Sequence, residues 1–384
     1  QVGFLPDYAD SALRWFGLVA AVALVGGLIF LAFVSRPAAE FLDDEHLRRV
    51  HDTSSVVVAA TALPAAVIVA LSTLGQLVLL AGRLGGLADI DNILFDTRSG
   101  QLWLARVGLS IALALSVLPM MRSDEFRRSR QASLLVWPLF VGALGLLMTY
   151  SLASHAAAQG GAFWGVASDF GHFLATAAWL GALPQLALLF WWTQRRLDEP
   201  QRLLYWANAL DRFSWLAVVG VALLIATGVF NGFVQLPRLP ALWDTTYGRV
   251  LIAKLALILP LLGVAGLNAV LLKPRLVAAI DELHAEDLNE RPTGSERTRL
   301  ETALRRLQSA LPRTTAAEFL LGVAVLASVG VLAQSTTADG ELRQEATAPA
   351  GEFAASEQEN DLDVELLIEP FGITVNTFTV TLTP

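Results

Sequence analysis

The chain has 384 residues, of which 54% are hydrophobic and 16% charged, and its net charge is −8. A soluble domain is about a quarter charged, so this composition excludes an ordinary water-soluble enzyme and indicates a protein that crosses a membrane several times. With no cysteine, disulfides, thiolate metal sites, iron–sulfur clusters and cysteine nucleophiles are excluded too, and any soft-metal chemistry must use His, Met or carboxylates.

Eight apolar runs follow in chain order, at 12–34, 55–80, 102–121, 133–152, 166–192, 213–234, 247–271 and 316–333. Each is long enough to cross about 30 Å of hydrocarbon, and in lipid a helix satisfies its own backbone polar groups. The expected fold is an all-α membrane protein, an eight-span helical bundle over residues 1–334. Gly26, Gly27, Gly142, Gly145, Gly220, Gly263 and Gly266 are expected to let helices approach closely. The connections after spans one, three, five and seven carry 19 Lys and Arg, against four in the other connections and termini. The basic side is the cytoplasmic one, so both termini are expected outside the cell.

Between Lys273 and Arg313, Leu300, Leu304, Leu307 and Leu311 recur at helical spacing among arginines. This reads as a basic amphipathic helix lying on the anionic inner leaflet, a partner for lipid and not for nucleic acid. The last 50 residues hold ten acids against Arg343 alone, which is where the acidity of the chain resides. Residues 335–360, rich in Ala, Thr, Gly, Glu and Gln, read as a flexible outside linker. Residues 361–384 read as the start of an incomplete extracytoplasmic β domain, with strands at Val364–Ile368 and Thr374–Thr381. The chain starts at Gln1 without a methionine, which is expected of a cut or processed N-terminus.

No phosphate-cradling GxxxxGK[ST], dinucleotide GxGxxG or metalloprotease HExxH is present. What remains is a small set of polar groups in or beside the spans, costly in lipid and therefore functional candidates. His155 lies just past span four and His172 inside span five, both toward the outside by the charge bias. Asp169 is three residues before His172, on the same helix face, where a carboxylate can fix a metal-binding imidazole. Met148 adds a thioether, and imidazole with thioether suits copper, Cu(I) in particular. The alternatives stay open at this level: His172 as an interhelical hydrogen bonder, His155 as a wet loop residue, Met148 as packing. Lys254 and Arg249 could neutralise Asp169 or reach toward water. Asn231 and Asn268 read as interhelical hydrogen bonders. His46, His51 and His284, on the inner side near acids, read as a solvated polar face or as an inner metal acceptor.

The segment from Tyr150 to Leu271 resembles the CopD family of bacterial copper-resistance and copper-uptake membrane proteins. The resemblance is carried by Ser151-Leu152-Ala153-Ser154-His155, by Gly171-His172-Phe173-Leu174 with Trp179-Leu180-Gly181, by Ala226-Thr227-Gly228, and by Tyr247-Gly248-Arg249 leading to Lys254. It implies movement of copper ion across, or its delivery into, the bacterial plasma membrane and supports a metal role for His155 and His172, so that the expected outer site is built from these two, with Met148 and Asp169 as additional candidates. It also implies a periplasmic CopC-like copper-binding partner. The rival expectations are a haem b or electron-transfer protein using the two histidines as axial ligands, and a non-transporting scaffold for a copper chaperone.

Overall fold

The computed structural model describes residues 4–83, 86, 90–154, 162–236, 238–283, 294–332, 353–359, 362–369 and 377–383. Eight helices are long and apolar enough to cross a membrane. They are α1 (Ala9–Ala39), α2 (Asp44–Arg83), α3 (Arg98–Arg122), α4 (Leu134–Leu152), α5 (Phe163–Arg196), α6 (Glu199–Gln235), α7 (Thr246–Leu283) and α8 (Gly294–Ser328). All eight expected spans fall on these helices. Most helices run past the expected span ends, because backbone hydrogen bonding continues into the polar residues flanking each apolar run.

The described residues fall into two compact units, one drawn from Gln1–Gly232 and Ala253–Gln334, the other from Phe233–Ile252 and Ser335–Pro384. In the first unit α1 is the central helix, packed on α2, α4, α5 and α8. The apolar faces meet in two clusters. One contains Phe30, Val34, Leu183, Phe190, Trp206 and Leu311. The other contains Val25, Ile29, Val69, Leu113, Leu146 and Ala177.

The closest helix approach is between α1 and α5. A Cβ added at Gly26 would stand 2.5 Å from Gly181 Cα, and closer still to the Gly181 carbonyl carbon and Ala177 O. Of the other glycines expected at contacts, Gly27 meets Gln185 and Gly220 meets Ala175, while Gly142 and Gly145 make ordinary contacts. Gly263 and Gly266 have open space around them, which corrects the expectation there. Gly181 closes a wide π turn, Ala177–Gly181, inside α5, and a second π turn, Leu267–Leu272, lies in α7. Such turns insert a residue into the i→i−4 ladder and often mark functional positions.

The stripe of leucines expected on lipid is also corrected. Leu304 and Leu311 are buried in the first apolar cluster and Leu300 and Leu307 pack on it. The basic segment is the start of α8 itself, its leucine face covered by protein.

In the second unit, a three-stranded antiparallel sheet joins β1 (Phe353–Glu359), β2 (Leu362–Glu369) and β3 (Thr377–Thr383) in the order β1-β2-β3. Ala355 faces Leu366, and Leu366 faces Val380. The expected strand Val364–Ile368 lies within β2, and that at Thr374–Thr381 overlaps β3. Phe353–Glu359, inside the stretch 335–360 expected as a linker, pairs as β1 with Leu362–Ile368 of β2. The other part of this unit explains a motif. Thr245 Oγ1 accepts from Gly248 N at 3.0 Å, and Tyr247 Oη donates to Gln235 Oε1. A Cβ at Gly248 would reach 2.5 Å from Leu242 Cα, so the Thr-Thr-Tyr-Gly run builds the tight entry into α7.

Candidate metal-entry site

The site builds up around the ring of His172, half-buried on α5. Its Nδ1 lies 2.9 Å from Thr227 Oγ1 on α6. The Thr227 hydroxyl has one proton, and it donates that proton to Leu223 O at 2.7 Å. With that proton directed at Leu223 O the hydroxyl accepts from the ring, an assignment that puts the hydrogen on Nδ1 and, in the neutral imidazole, leaves Nε2 its lone pair. A metal-binding imidazole has this arrangement, one nitrogen fixed by a hydrogen bond and the other left to coordinate. Gly228, one residue on, lies against Cε1 of the ring.

Asp169 was expected to orient that ring, and the structure gives the role to Thr227; no hydrogen bond joins Asp169 and His172 among the described residues. Asp169 instead faces the Ser151 and Ser154 hydroxyls at the end of α4. These are near but not aligned with it: Asp169 Oδ2 and Ser151 Oγ are both buried without a hydrogen-bond partner. Lys254 on α7 is the cation whose charge acts on both Asp169 and His172. Ser168 donates to Asn231 Oδ1 at 2.8 Å, so Asn231 is the interhelical hydrogen bonder expected. Four helices, α4 to α7, thus contribute polar groups at one end of the bundle.

Met148 is half-buried on α4, one turn before Ser151. The same end of α4 is fixed by Arg106, which sequence reasoning did not single out. Arg106 is buried, donates through Nε to Thr149 Oγ1 at 3.0 Å and through Nη2 to Thr149 O at 3.1 Å, and stacks 3.9 Å over the Tyr150 ring. Arginine opposite a threonine more than forty residues away carries no local signal. His155 lies outside the described residues, so its distance from His172 is not part of this geometry. Among the described residues no group of three or more His, Asp or Glu is arranged to hold a metal ion. Of the residues expected at the site, the structure describes His172 and Asp169 on α5 and Met148 on α4.

At the opposite end, His46 bridges two carboxylates, with Nδ1 2.8 Å from Asp43 Oδ1 and Nε2 2.6 Å from Asp198 Oδ1. Carboxylates only accept, so both ring nitrogens donate, and neither is free for a metal. The His46 backbone N–H, followed by its side chain, holds the Asp43 carboxyl below the usual carboxylate range. His51 Nε2 lies 3.4 Å from Arg36 O, and His284 lies outside the described residues. A third polar cluster joins the π turns: Trp179 Nε1 donates to Glu318 Oε1 at 2.7 Å and Asn268 Nδ2 to Glu318 Oε2 at 2.8 Å.

Residues 5–166 match the family model described as the copper resistance protein D-like N-terminal domain, and residues 207–332 match that of copper resistance protein D. Over 244 residues, 63% of this chain, it is 28% identical to the copper transport protein CutJ of Bacillus subtilis (strain 168). Over 215 residues, 53% of this chain, it is 26% identical to copper resistance protein D of Pseudomonas syringae pv. tomato. The matched stretches span 38% and 66% of those two relatives. Matched along both halves of its helical bundle by the two models and by these relatives, the chain belongs to the copper resistance protein D (CopD) family.

Proposed function

We propose that this protein is a copper permease of the bacterial plasma membrane, which takes copper at the α4–α7 end of the bundle and passes it inward. It acts as a transporter and not as an enzyme. The observation that carries the reading is His172: its Nδ1 is paired with Thr227, and among the described residues its Nε2 has no hydrogen bond and the Asp169 carboxylate three residues before it has an unsatisfied oxygen. Imidazole with thioether suits soft Cu(I), which gives His172 the leading role, Met148 and Asp169 supporting ones, and His155 that of a second imidazole. Lys254 opposes entry of a second cation and neutralises Asp169 while the site is empty.

The excess of basic residues on one set of connections supports placing this end, and both termini, outside the cell. A periplasmic CopC-like copper-binding protein is the partner this orientation suits. The relatives' names concern copper, and nothing in the comparisons favours haem. The test is copper accumulation in cells that depend on this protein, with His172→Ala, His155→Ala and Asp169→Asn compared at equal abundance. The first should lose most uptake, the second a large part, and the third less. Unchanged accumulation in His172→Ala would overturn the reading.

A further inference from the structure

The Glu318 carboxyl has no place in the outer site and no ion-pair partner among the described residues. It is 3% exposed, in the apolar part of α8. The elements packed on α8 are α1, α5 and α7. Their charged and titratable groups are Asp10, Arg14 and Arg36 on α1; Asp169, His172, Arg195 and Arg196 on α5; and Arg249, Lys254, Lys273, Arg275, Asp281 and Glu282 on α7, while α6, which lines the cavity beside Glu318, adds Glu199, Arg202, Asp211 and Arg212. Of these, Lys273 is taken by Asp211 at 2.7 Å and Lys254 acts on Asp169. On α8 itself the nearest charge is Arg313, more than one turn away. The groups that meet Glu318 are neutral, Trp179 on the α5 π turn and Asn268 on the α7 π turn.

A lone carboxylate in such a place is costly unless it can shed its charge. The Asn268 amide makes both states tolerable. With Glu318 ionised, Asn268 Nδ2 donates to Oε2, and Asn268 Oδ1 is left buried without a partner. With Glu318 protonated, a half-turn of the amide brings Oδ1 to accept from Oε2–H, so the orphaned acceptor is satisfied. Trp179 donates to Oε1 in either state. Asn268 and Glu318 also line a cavity of about 270 Å³, with Ser214 and Thr315 as further polar groups. That volume is room for several waters at about 30 Å³ each, with Glu318, Asn268, Ser214 and Thr315 as the polar groups on an otherwise apolar lining.

We propose that Glu318 is a proton-exchange site that couples copper movement to proton movement. The inference rests on the permease reading above and adds its energy coupling. When the copper cation moves inward, its positive charge favours the ionised carboxyl. The Oε2–H bond breaks, the proton passes to water in the cavity, and the Asn268 amide turns to donate. After the cation has left, a proton from the side to which the cation was released re-forms the O–H bond, so that one proton moves against each cation.

Two measurements on the full-length protein test this. The first is infrared difference spectroscopy of purified protein through a pH titration. It should show a protonated-carboxyl C=O band that is absent from Glu318→Gln and shifted in frequency in Asn268→Leu, which loses the amide partner. Gln is isosteric, and the Asn268 amide can turn to meet it, so the variant should fold with an unchanged melting temperature. A titration with no band lost in Glu318→Gln would overturn the proposal. The second measurement uses proteoliposomes with Cu(I) as the probe. Wild type should move protons on copper addition and respond to an imposed pH gradient, and Glu318→Gln should lose at least about tenfold of that proton signal, a loss of about 1.4 kcal/mol in coupling. An unchanged proton signal in Glu318→Gln would also overturn it. If wild type moves no copper, the permease reading fails and the coupling with it, whereas copper movement that leaves the proton signal unchanged in Glu318→Gln overturns the coupling alone.

Discussion

Replacing Thr227 with Val removes one oxygen from the account while keeping the shape of the side chain. In the wild type, Nδ1–H of His172 donates to Thr227 Oγ1 at 2.9 Å in a partly buried setting. Valine puts a methyl group there, so the N–H either stays unsatisfied, at a cost of about 1–3 kcal/mol, or the proton moves to Nε2. The second outcome uses up the lone pair that the copper reading assigns to the metal. Loss of an orienting partner of this kind typically costs about 10- to 100-fold in metal affinity, equivalent to about 1.4–2.7 kcal/mol. The two ranges agree, as they should if one hydrogen bond sets the tautomer. The assay is the copper concentration that gives half-maximal uptake, measured at equal protein abundance. Thr227→Val should raise it about 10- to 100-fold, while Thr227→Ser, which keeps the hydroxyl, should stay near wild type. An unchanged half-saturation in Thr227→Val, with the protein folded and inserted, would refute the argument that Thr227 holds Nε2 ready.

Other expectations follow from the same structure. Gly26→Ala places its Cβ 2.5 Å from Gly181 Cα where carbon atoms need about 3.5–4.0 Å, so α1 and α5 must part by about 1 Å. Overpacking of this kind costs about 1–3 kcal/mol, and a lower melting temperature in detergent should report it, whereas Gly263→Ala, in open space, should be neutral. Equal melting temperatures for the two variants would show that the α1–α5 approach is not tight. Arg106→Leu removes two bonds to Thr149 and leaves buried acceptors, so it should destabilise the α4 end and reduce uptake together; loss of neither would contradict its positioning role. A reporter active only in the cytoplasm, fused after Gln334, should be inactive, and activity there would reverse the assigned orientation.

Much of the bundle was legible because apolar runs of about 20 residues have few alternatives in a bilayer. What covers each face was less so. The leucines at 300, 304, 307 and 311 mark a stripe by their spacing alone, but spacing does not say whether lipid or protein meets it; here it is α8's own protein contacts. In the same way, Asp169 and His172 share a face by their three-residue separation, while the partner that orients the ring comes from Thr227, 55 residues on. Glu318 gave no sequence signal beyond one acid near the start of an apolar run. Its importance depends on two π turns, in Ala177–Gly181 and Leu267–Leu272, whose small and apolar residues look like ordinary helix. The strand Phe353–Glu359 was hidden by its Ala, Ser, Glu and Gln content, and it forms because β2 offers it a pairing edge along its whole length.

The most direct measurement of the central claim is X-ray absorption at the copper edge on purified, copper-loaded protein, comparing wild type with His172→Ala. The account predicts imidazole nitrogen scattering in the wild type that diminishes in the variant, together with a fall in bound copper. Identical imidazole scattering and identical copper content in the two proteins would contradict it.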